Sequence, residues 1–206
     1  MTKKFLLNPI AVAELGRIDP SFQPLIANCG TIELTIEENY FVSIASAIVG
    51  QQLSNRVAEV LWDRLTSLAK GTVTPEMILS LEDESLRQIG ISYAKIKYLK
   101  ALAVAIVEQT LELDRLDSLP DDEIIKQLTQ VKGIGPWTAE MFLIFSMGRM
   151  DVFSVGDGGL QRAVKWLYQL DDIPNQEGLR IISQKWKPHR TIAALYLWRA
   201  LDEKII

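Results

Sequence analysis

Apolar residues recur at helical spacing along most of the chain, whereas alternating apolar and polar positions are almost absent. Residues 31–36 (TIELTI) are the only stretch that alternates like a strand, and a strand without a partner cannot form a sheet. The pattern therefore predicts an all-α fold. The longer helices are expected at about 40–49, 56–68, 93–111, 136–147, 158–168, 175–185 and 188–201, with shorter ones beginning at Pro75 and after Ser118.

The composition is that of an ordinary globular chain, with 206 residues, 48% of them hydrophobic and 23% charged. The apolar stretch after Lys3 and Lys4 breaks at Asn8, too early for a signal peptide, and no small-residue cleavage site follows it. No apolar run approaches the roughly 20 residues of a membrane span. Cys29 is the only cysteine, which excludes an intrachain disulfide, a four-cysteine zinc site and a protein-held iron–sulfur cluster. We expect a cytoplasmic protein in which Cys29 is a small buried side chain.

The net charge of −4 argues mildly against a nucleic-acid partner. The charge is unevenly distributed, however. Residues 129–206 hold 10 Lys and Arg against 8 Asp and Glu, which leaves 12 basic and 18 acidic residues in 1–128. Because a small DNA footprint needs only a local basic face, the charge is compatible with DNA without indicating it.

A glycine-rich turn lies between two predicted helices, in the segment 128–139 (LTQVKGIGPWTA). Gly133 and Gly135 allow backbone conformations that are closed to other residues, and Pro136 suits the first turn of a helix. Amide groups at such a helix start point outward, so a DNA phosphate could bind there independently of base sequence. A plain tight turn between helices explains the motif equally well.

A second segment, 151–160 (DVFSVGDGGL), brings a carboxylate to the start of a predicted helix after an apolar run. Asp157 stands there between Gly156 and Gly158. An aspartate that merely caps a surface helix is common. One placed between glycines, after both an apolar run and a hairpin, is much less so.

Together these segments resemble the helix-hairpin-helix, glycine/proline-rich, aspartate superfamily of DNA repair glycosylases. Within it, the likeness is greatest to the DNA-3-methyladenine glycosylase II family. It covers about residues 38–202 and includes 48–54 (IVGQQLS), 185–188 (KWKP) and Trp198. The resemblance implies two helical lobes with the active-site cleft between them, and a helix-hairpin-helix motif that binds DNA.

The activity implied is that of a monofunctional DNA glycosylase that begins base excision repair. It would flip an alkylated purine, of the 3-methyladenine or 7-methylguanine type, out of duplex DNA and hydrolyse its N-glycosidic bond. Asp157 would be catalytic, stabilising the charge that develops on the sugar and orienting water. A cationic alkylated base leaves without protonation, so no catalytic cofactor or metal is needed. Family members that also cut the strand carry a lysine where this chain has Trp137, so no lyase activity is expected.

The remaining roles follow from the resemblance position by position. Trp137 and Trp198 would line the base pocket, since an aromatic face attracts a cationic base, and Met141 stands where the family often has an aromatic residue. Gln52 would be the wedge that fills the gap left by the flipped base, with Leu53 as the alternative. The hairpin would hold phosphate through Gly133, Gly135, Thr138 and Lys132, and a structural monovalent or divalent cation through the carbonyls of Thr129, Val131 and Ile134. For Lys132, a phosphate contact is preferred to a role as nucleophile.

The expected domains are an N-terminal segment, 1–37, packed as helices on the C-terminal lobe, a lobe of 38–117 with the wedge, and a lobe of 118–206 with the hairpin and Asp157. Near Trp198 lies a basic run that either follows the DNA backbone or is a solvated helix face. His189, the only histidine in the sequence, belongs to this run and is expected at the surface. The run consists of Lys185, Lys187, His189 and Arg190.

The expected partner is double-stranded DNA with damaged bases, bound by a monomer at the bacterial nucleoid in the cytoplasm. Two alternatives remain open. One is a non-catalytic hairpin module that only binds DNA, which would need neither Asp157 nor the tryptophan pair. The other is the same fold acting on deaminated, mismatched or oxidised bases, whose departure would need a general acid that the sequence does not show.

Overall fold

The computed structural model describes residues 2–205 and confirms a mainly helical fold. Within this range two short strands, β1 (Thr2–Leu6) and β2 (Glu33–Glu37), accompany twelve α-helices, and 3-10 turns occur at Pro20–Phe22 and Leu113–Ser118. The helices are α1 (Pro9–Ile18), α2 (Gln23–Cys29), α3 (Tyr40–Gly50), α4 (Asn55–Leu68), α5 (Pro75–Ser80), α6 (Asp83–Gln88), α7 (Tyr93–Val107), α8 (Asp121–Thr129), α9 (Pro136–Phe145), α10 (Gly158–Leu167), α11 (Gln176–Gln184) and α12 (Arg190–Asp202).

Two local expectations from the sequence are wrong. The strand predicted near 31–36 does have a partner, because β1 pairs with β2 in a two-stranded sheet. The helix predicted to reach residue 111 ends at Val107. It ends there because Gln109 has a φ of +57°, a left-handed conformation that cannot continue the helix.

The described residues divide into two compact units, here called the first unit (37–142) and the second unit (2–36 together with 143–205). This division differs from the expected boundary after residue 117, because α8, the hairpin and most of α9 group with the wedge-bearing segment. The N-terminal segment belongs with the C-terminal residues, where α1 and α2 pack against α12. None of the helices in 2–205 is both long enough and apolar enough to cross a membrane.

The first unit is built around α3, α4, α5 and α7, which pack on one another. Side-chain caps fix where several of these helices begin: Asn39 accepts the Val42 N–H at the start of α3, and Ser92 accepts the Lys95 N–H at the start of α7. Ile48 of α3 is fully buried, which anchors the end of that helix just before the 51–54 turn. The turn that carries the predicted wedge therefore projects from a well-packed helix pair.

The second unit packs around α12, whose residues 191–197 are all buried. Trp186 is fully buried beside it, with its indole N–H donating to Asp19 Oδ2 at 2.9 Å. Burial alone would raise the pKa of Asp19, but hydrogen bonds from Tyr168, Trp186 and Lys185 outweigh it and lower the pKa to about 2. A buried, ionised carboxylate thus joins the N-terminal segment to the C-terminal helices of this unit.

Candidate functional site

The predicted hairpin is present in the first unit, between the end of α8 at Thr129 and the start of α9 at Pro136. Gly133 has a φ of +96°, and a Cβ added there would lie 2.1 Å from Tyr98 Cγ. Only glycine fits this position, both for its conformation and for its approach to α7. A Cβ at Gly135 would meet no heavy atom within 4 Å. The first glycine lets the turn pack, and the second leaves its outer surface open.

The predicted wedge lies beside the hairpin. A shallow cavity of about 490 Å³ is lined by both Gln52 and the two hairpin glycines. Gln52 is exposed and adopts a φ of +59°, while Leu53 is 37% exposed. The structure therefore brings Gln52, one of the two wedge candidates, together with both hairpin glycines in one unit. The other residues that line the cavity are Gln51, Ser92, Ala94, Lys95, Tyr98 and Ile134.

Two side chains that line this cavity, Gln51 and Lys95, were not among the site residues predicted from the sequence. Gln51 donates from Nε2 to the carbonyl oxygen of Gly133 at 2.9 Å, which joins the wedge turn directly to the hairpin. Lys95 donates from Nζ to the carbonyl oxygen of Val49 at 2.8 Å, near the end of α3. Burial lowers the pKa of Lys95 below its usual range. Nothing in the sequence marks these pairs, because their partners are backbone carbonyls far away along the chain.

The other first-unit candidates differ in how much surface they present. Lys132 is exposed, as a phosphate contact requires. Trp137 is 44% exposed, and Met141 is half-buried. Thr138 is only 4% exposed, so its hydroxyl offers little surface to DNA. A phosphate contact at Thr138 would therefore use its main-chain N–H in the first turn of α9.

Asp157 caps the N-terminus of α10 in the second unit, and it is half-buried. Its Oδ1 accepts the Leu160 N–H at 2.8 Å and the Trp198 indole N–H at 3.3 Å. A Cβ at Gly159 would lie 2.9 Å from the same oxygen, so this glycine makes room for the carboxylate. The positive end of the helix dipole also favours an anion here. The carboxylate is thus held in a fixed orientation on a helix terminus.

The segment leading to Asp157 is held by the start of α12. Arg190 donates from Nε to Asp151 Oδ1 at 2.8 Å and from a second nitrogen to Asp151 Oδ2 at 3.1 Å. The fully buried Thr191 donates to the Arg149 carbonyl at 2.7 Å and accepts the Val152 N–H at 2.9 Å. Since Trp198 lies on the same helix, α12 contacts the segment 151–157 at both ends, at Asp151 and at Asp157.

The basic run near Trp198 is not the uniform solvated face that the sequence allowed. The prediction that His189 lies at the surface is wrong, because it is 8% exposed and its Nε2 lies 3.0 Å from Glu14 Oε2 of α1. Arg190 is engaged by Asp151, and Lys185 lies 3.1 Å from Asp19 and 4.0 Å above the Tyr168 ring. These three basic groups therefore contact other residues of the second unit.

The candidate cation ligands are the carbonyls of Thr129, Val131 and Ile134. Val131 contributes a carbonyl that already accepts the Ile134 N–H at 3.1 Å, within a turn that follows the C-terminal end of α8. Such carbonyl oxygens are hard ligands that suit alkali and alkaline-earth cations. Among residues 2–205, no cluster of three or more His, Cys, Asp or Glu side chains offers a metal site.

The fold agrees with what a comparison with known families finds. A family model described as HhH-GPD superfamily base excision DNA repair protein matches residues 45–189. The match covers the wedge turn, the hairpin and Asp157. The chain belongs to the HhH-GPD superfamily.

Individual relatives are similar over nearly the whole chain. The crystal structure of a Bacillus halodurans DNA-3-methyladenine glycosidase has a TM-score of 0.85 and 38% identity, covering 96% of this chain and 92% of that one. The Schizosaccharomyces pombe 3-methyladenine DNA glycosylase, solved in complex with abasic DNA, has a TM-score of 0.85 and 32% identity, covering 93% and 96%. The Bacillus subtilis protein YfjP is 34% identical over 176 residues, which are 82% of this chain but only 61% of that protein.

Proposed function

We propose that this protein is a monofunctional DNA glycosylase that removes alkylated purines, of the 3-methyladenine or 7-methylguanine type, from duplex DNA. The observation that carries the proposal is the carboxylate of Asp157, held at a helix N-terminus by Leu160 and Trp198. The names of the two structural relatives, a DNA-3-methyladenine glycosidase and a 3-methyladenine DNA glycosylase, support the substrate class.

The proposed mechanism begins with extrusion of the damaged nucleotide. A base inside a duplex is out of reach, so the nucleotide must rotate out of the stack before its bond to the sugar can be cut. As that bond breaks, positive charge develops on the sugar, and the fixed Asp157 carboxylate stabilises it. Water, oriented by Asp157, then adds to the sugar carbon and loses a proton to solvent. The alkylated base departs as a neutral molecule because it is already cationic before the bond breaks.

Strand cleavage is not part of the proposed activity. A lyase of this superfamily forms a Schiff base through a lysine at the position that Trp137 occupies here, and an indole cannot do so. Lys132 lies three residues after Thr129, the last residue of α8, and it precedes Gly133, whereas Trp137 follows the hairpin. Its exposed ammonium suits a phosphate contact instead.

Base selection is assigned to aromatic side chains. Trp137 and Trp198, with Met141, would contact the flipped base, and a cationic purine gains about 0.5–2 kcal/mol against an aromatic face. Trp198 serves a second purpose through its N–H on Asp157 Oδ1. The Trp198 indole would then contact both the flipped base and the Asp157 carboxylate. Recognition of the cationic base would thereby be coupled to the catalytic group.

DNA binding is assigned to the first-unit cavity. Gly133, Gly135, Thr138 and Lys132 would hold a backbone phosphate, while Gln52, with Leu53 beside it, would fill the gap in the duplex. A monovalent or divalent cation on the carbonyls of Thr129, Val131 and Ile134 would bridge this turn to the phosphate. We place the enzyme at chromosomal DNA in the cytoplasm, acting as a monomer.

Two other functions make different predictions about the same experiment, which presents single-lesion duplexes to the wild type and to Asp157→Asn. An alkylated-purine glycosylase releases the methylated base, and Asp157→Asn binds the duplex but releases nothing. A binding module releases no base in either form. Preferential release of uracil or oxidised guanine would overturn the substrate assignment while retaining the enzyme class.

A further inference from the structure

The turn at residues 51–54 holds the wedge in a conformation that the turn itself does not favour. Gln52 has a φ of +59°, in the left-handed region that side-chain-bearing residues disfavour. Such conformations persist where surrounding contacts determine them, and they cluster at functional positions. The local backbone bond is from the Leu53 N–H to the carbonyl of Gly50, the last residue of α3, at 3.1 Å. The contacts that reach outside the turn therefore decide where Gln52 points.

Gln51 supplies such a contact from the turn itself, and Lys95 holds the end of α3 from which the turn projects. Gln51 donates to the Gly133 carbonyl at 2.9 Å, and Lys95 donates to the Val49 carbonyl at 2.8 Å. The first contact joins the turn to the hairpin, and the second joins the end of α3 to α7. The residue that precedes the wedge is thus tied directly to the glycine at the centre of the phosphate-binding turn.

A single face of α7 supports both partners. Lys95 and Tyr98 are three residues apart on this helix, so their side chains project from the same side. Lys95 binds the end of α3, and Tyr98 packs so closely on the hairpin that only glycine fits at 133. Gln51 completes the arrangement, because it links the two elements that α7 already holds.

We propose that Gln51 is a positioning residue that couples the hairpin to the wedge. This inference rests on the proposed function. When the hairpin binds a phosphate, the Gln51 amide fixes the position of Gln52 relative to that phosphate, and therefore how far the wedge enters the duplex. Phosphate binding and filling of the gap are then one event, and a duplex with a gap to fill is preferred over an intact one.

The test compares binding of two probes: a duplex with a tetrahydrofuran abasic-site analogue and the intact duplex of the same sequence. Gln51→Met keeps the length of the side chain and removes its donor. It is expected to lose about fivefold of the preference for the abasic duplex, the usual effect of one neutral hydrogen bond, and to bind intact duplex within about twofold of wild type. The matched control is Gln88→Met, an exposed glutamine of the same unit outside the cavity, and it should change neither value.

A double-mutant cycle separates positioning from simple stabilisation. If Gln51 acts through the wedge, Gln51→Met should have no effect on the abasic preference once Gln52→Ala has removed the wedge side chain. Equal losses in both backgrounds, or a parallel fall in melting temperature and in affinity for intact duplex, would overturn the proposal. Gln51→Asn keeps the amide but shortens its reach, and it should reproduce the loss if the methionine variant does not fold.

Failure of this inference is distinguishable from failure of the proposed function. A wild type that excises methylated purine and prefers the abasic duplex, with an unchanged preference in both Gln51 variants, contradicts only the coupling. A wild type without any abasic preference contradicts the wedge assignment and the coupling together. A wild type that excises no methylated purine, while Gln51→Met still reduces the preference for the abasic duplex, contradicts the enzyme assignment alone.

Discussion

Replacing Gly159 by alanine tests whether the orientation of Asp157 matters for catalysis. The new Cβ would lie 2.9 Å from Asp157 Oδ1 and 3.3 Å from Leu201 Cδ1, whereas ordinary contacts begin at 3.4 Å. The carboxylate must therefore shift by about 0.5 Å, a displacement that its hydrogen bond from Trp198, already long at 3.3 Å, tolerates poorly.

The expected loss follows from that displacement. Because a misplacement of about 1 Å at a reacting centre costs roughly 100-fold, half of it should lower the single-turnover excision rate about tenfold. Stability should not fall in parallel, since alanine is favoured over glycine in a helix by up to about 1 kcal/mol. The assay is excision of a methylated purine with enzyme in excess, run beside thermal unfolding.

The matched control stands one position earlier. A Cβ at Gly158 would have its nearest neighbour, the flexible end of Arg162, at 3.5 Å, so Gly158→Ala should leave the excision rate within about threefold of wild type. Equal rates for Gly159→Ala and wild type, or equal losses in the two alanine variants, would refute the claim that space beside the carboxylate is what this glycine provides.

Three further outcomes are expected. Trp198→Phe keeps an aromatic face and removes the N–H from Asp157, so the single-turnover rate should fall about tenfold, and an unchanged rate would contradict the role of that hydrogen bond. Gly133→Ala should weaken duplex binding in fluorescence anisotropy and lower the melting temperature, because its Cβ overlaps Tyr98 at 2.1 Å; wild-type binding would contradict the hairpin geometry. Asp19→Asn should lose about 2 kcal/mol of unfolding free energy at pH 7, because folding lowers the pKa of the Asp19 carboxyl from 3.8 to about 2. In urea titrations this loss should shrink as the pH falls from 4 to 2, since the carboxylate becomes protonated. A loss that does not depend on pH would contradict the lowered pKa.

Local signals in the sequence predicted the helix starts on which the candidate site residues lie. The helix that follows the hairpin begins at Pro136, and the helix that follows the Gly156–Gly158 segment is capped by Asp157, as proline and aspartate at helix starts predict. These features depend on a few adjacent residues. They can therefore be read without knowledge of tertiary contacts.

Features that depend on distant partners were missed. Gln51 and the Gly133 carbonyl are separated by 82 positions, and a backbone acceptor leaves no trace in the identity of its residue. His189 looks like a surface residue within its basic run, but α1 covers it and supplies Glu14 as partner. The boundary between the units falls inside α9, where continuous helical periodicity gives no sign of a division.

The catalytic role of Asp157 can be tested by measuring free 3-methyladenine released from methylated duplex DNA, with wild type and Asp157→Asn assayed side by side. We expect release by the wild type, and duplex binding without release by Asp157→Asn, because the amide cannot stabilise the positive charge on the sugar. Equal release by the two proteins would show that Asp157 is not the catalytic group. A wild type that binds duplex and releases no methylated base would contradict the proposed activity.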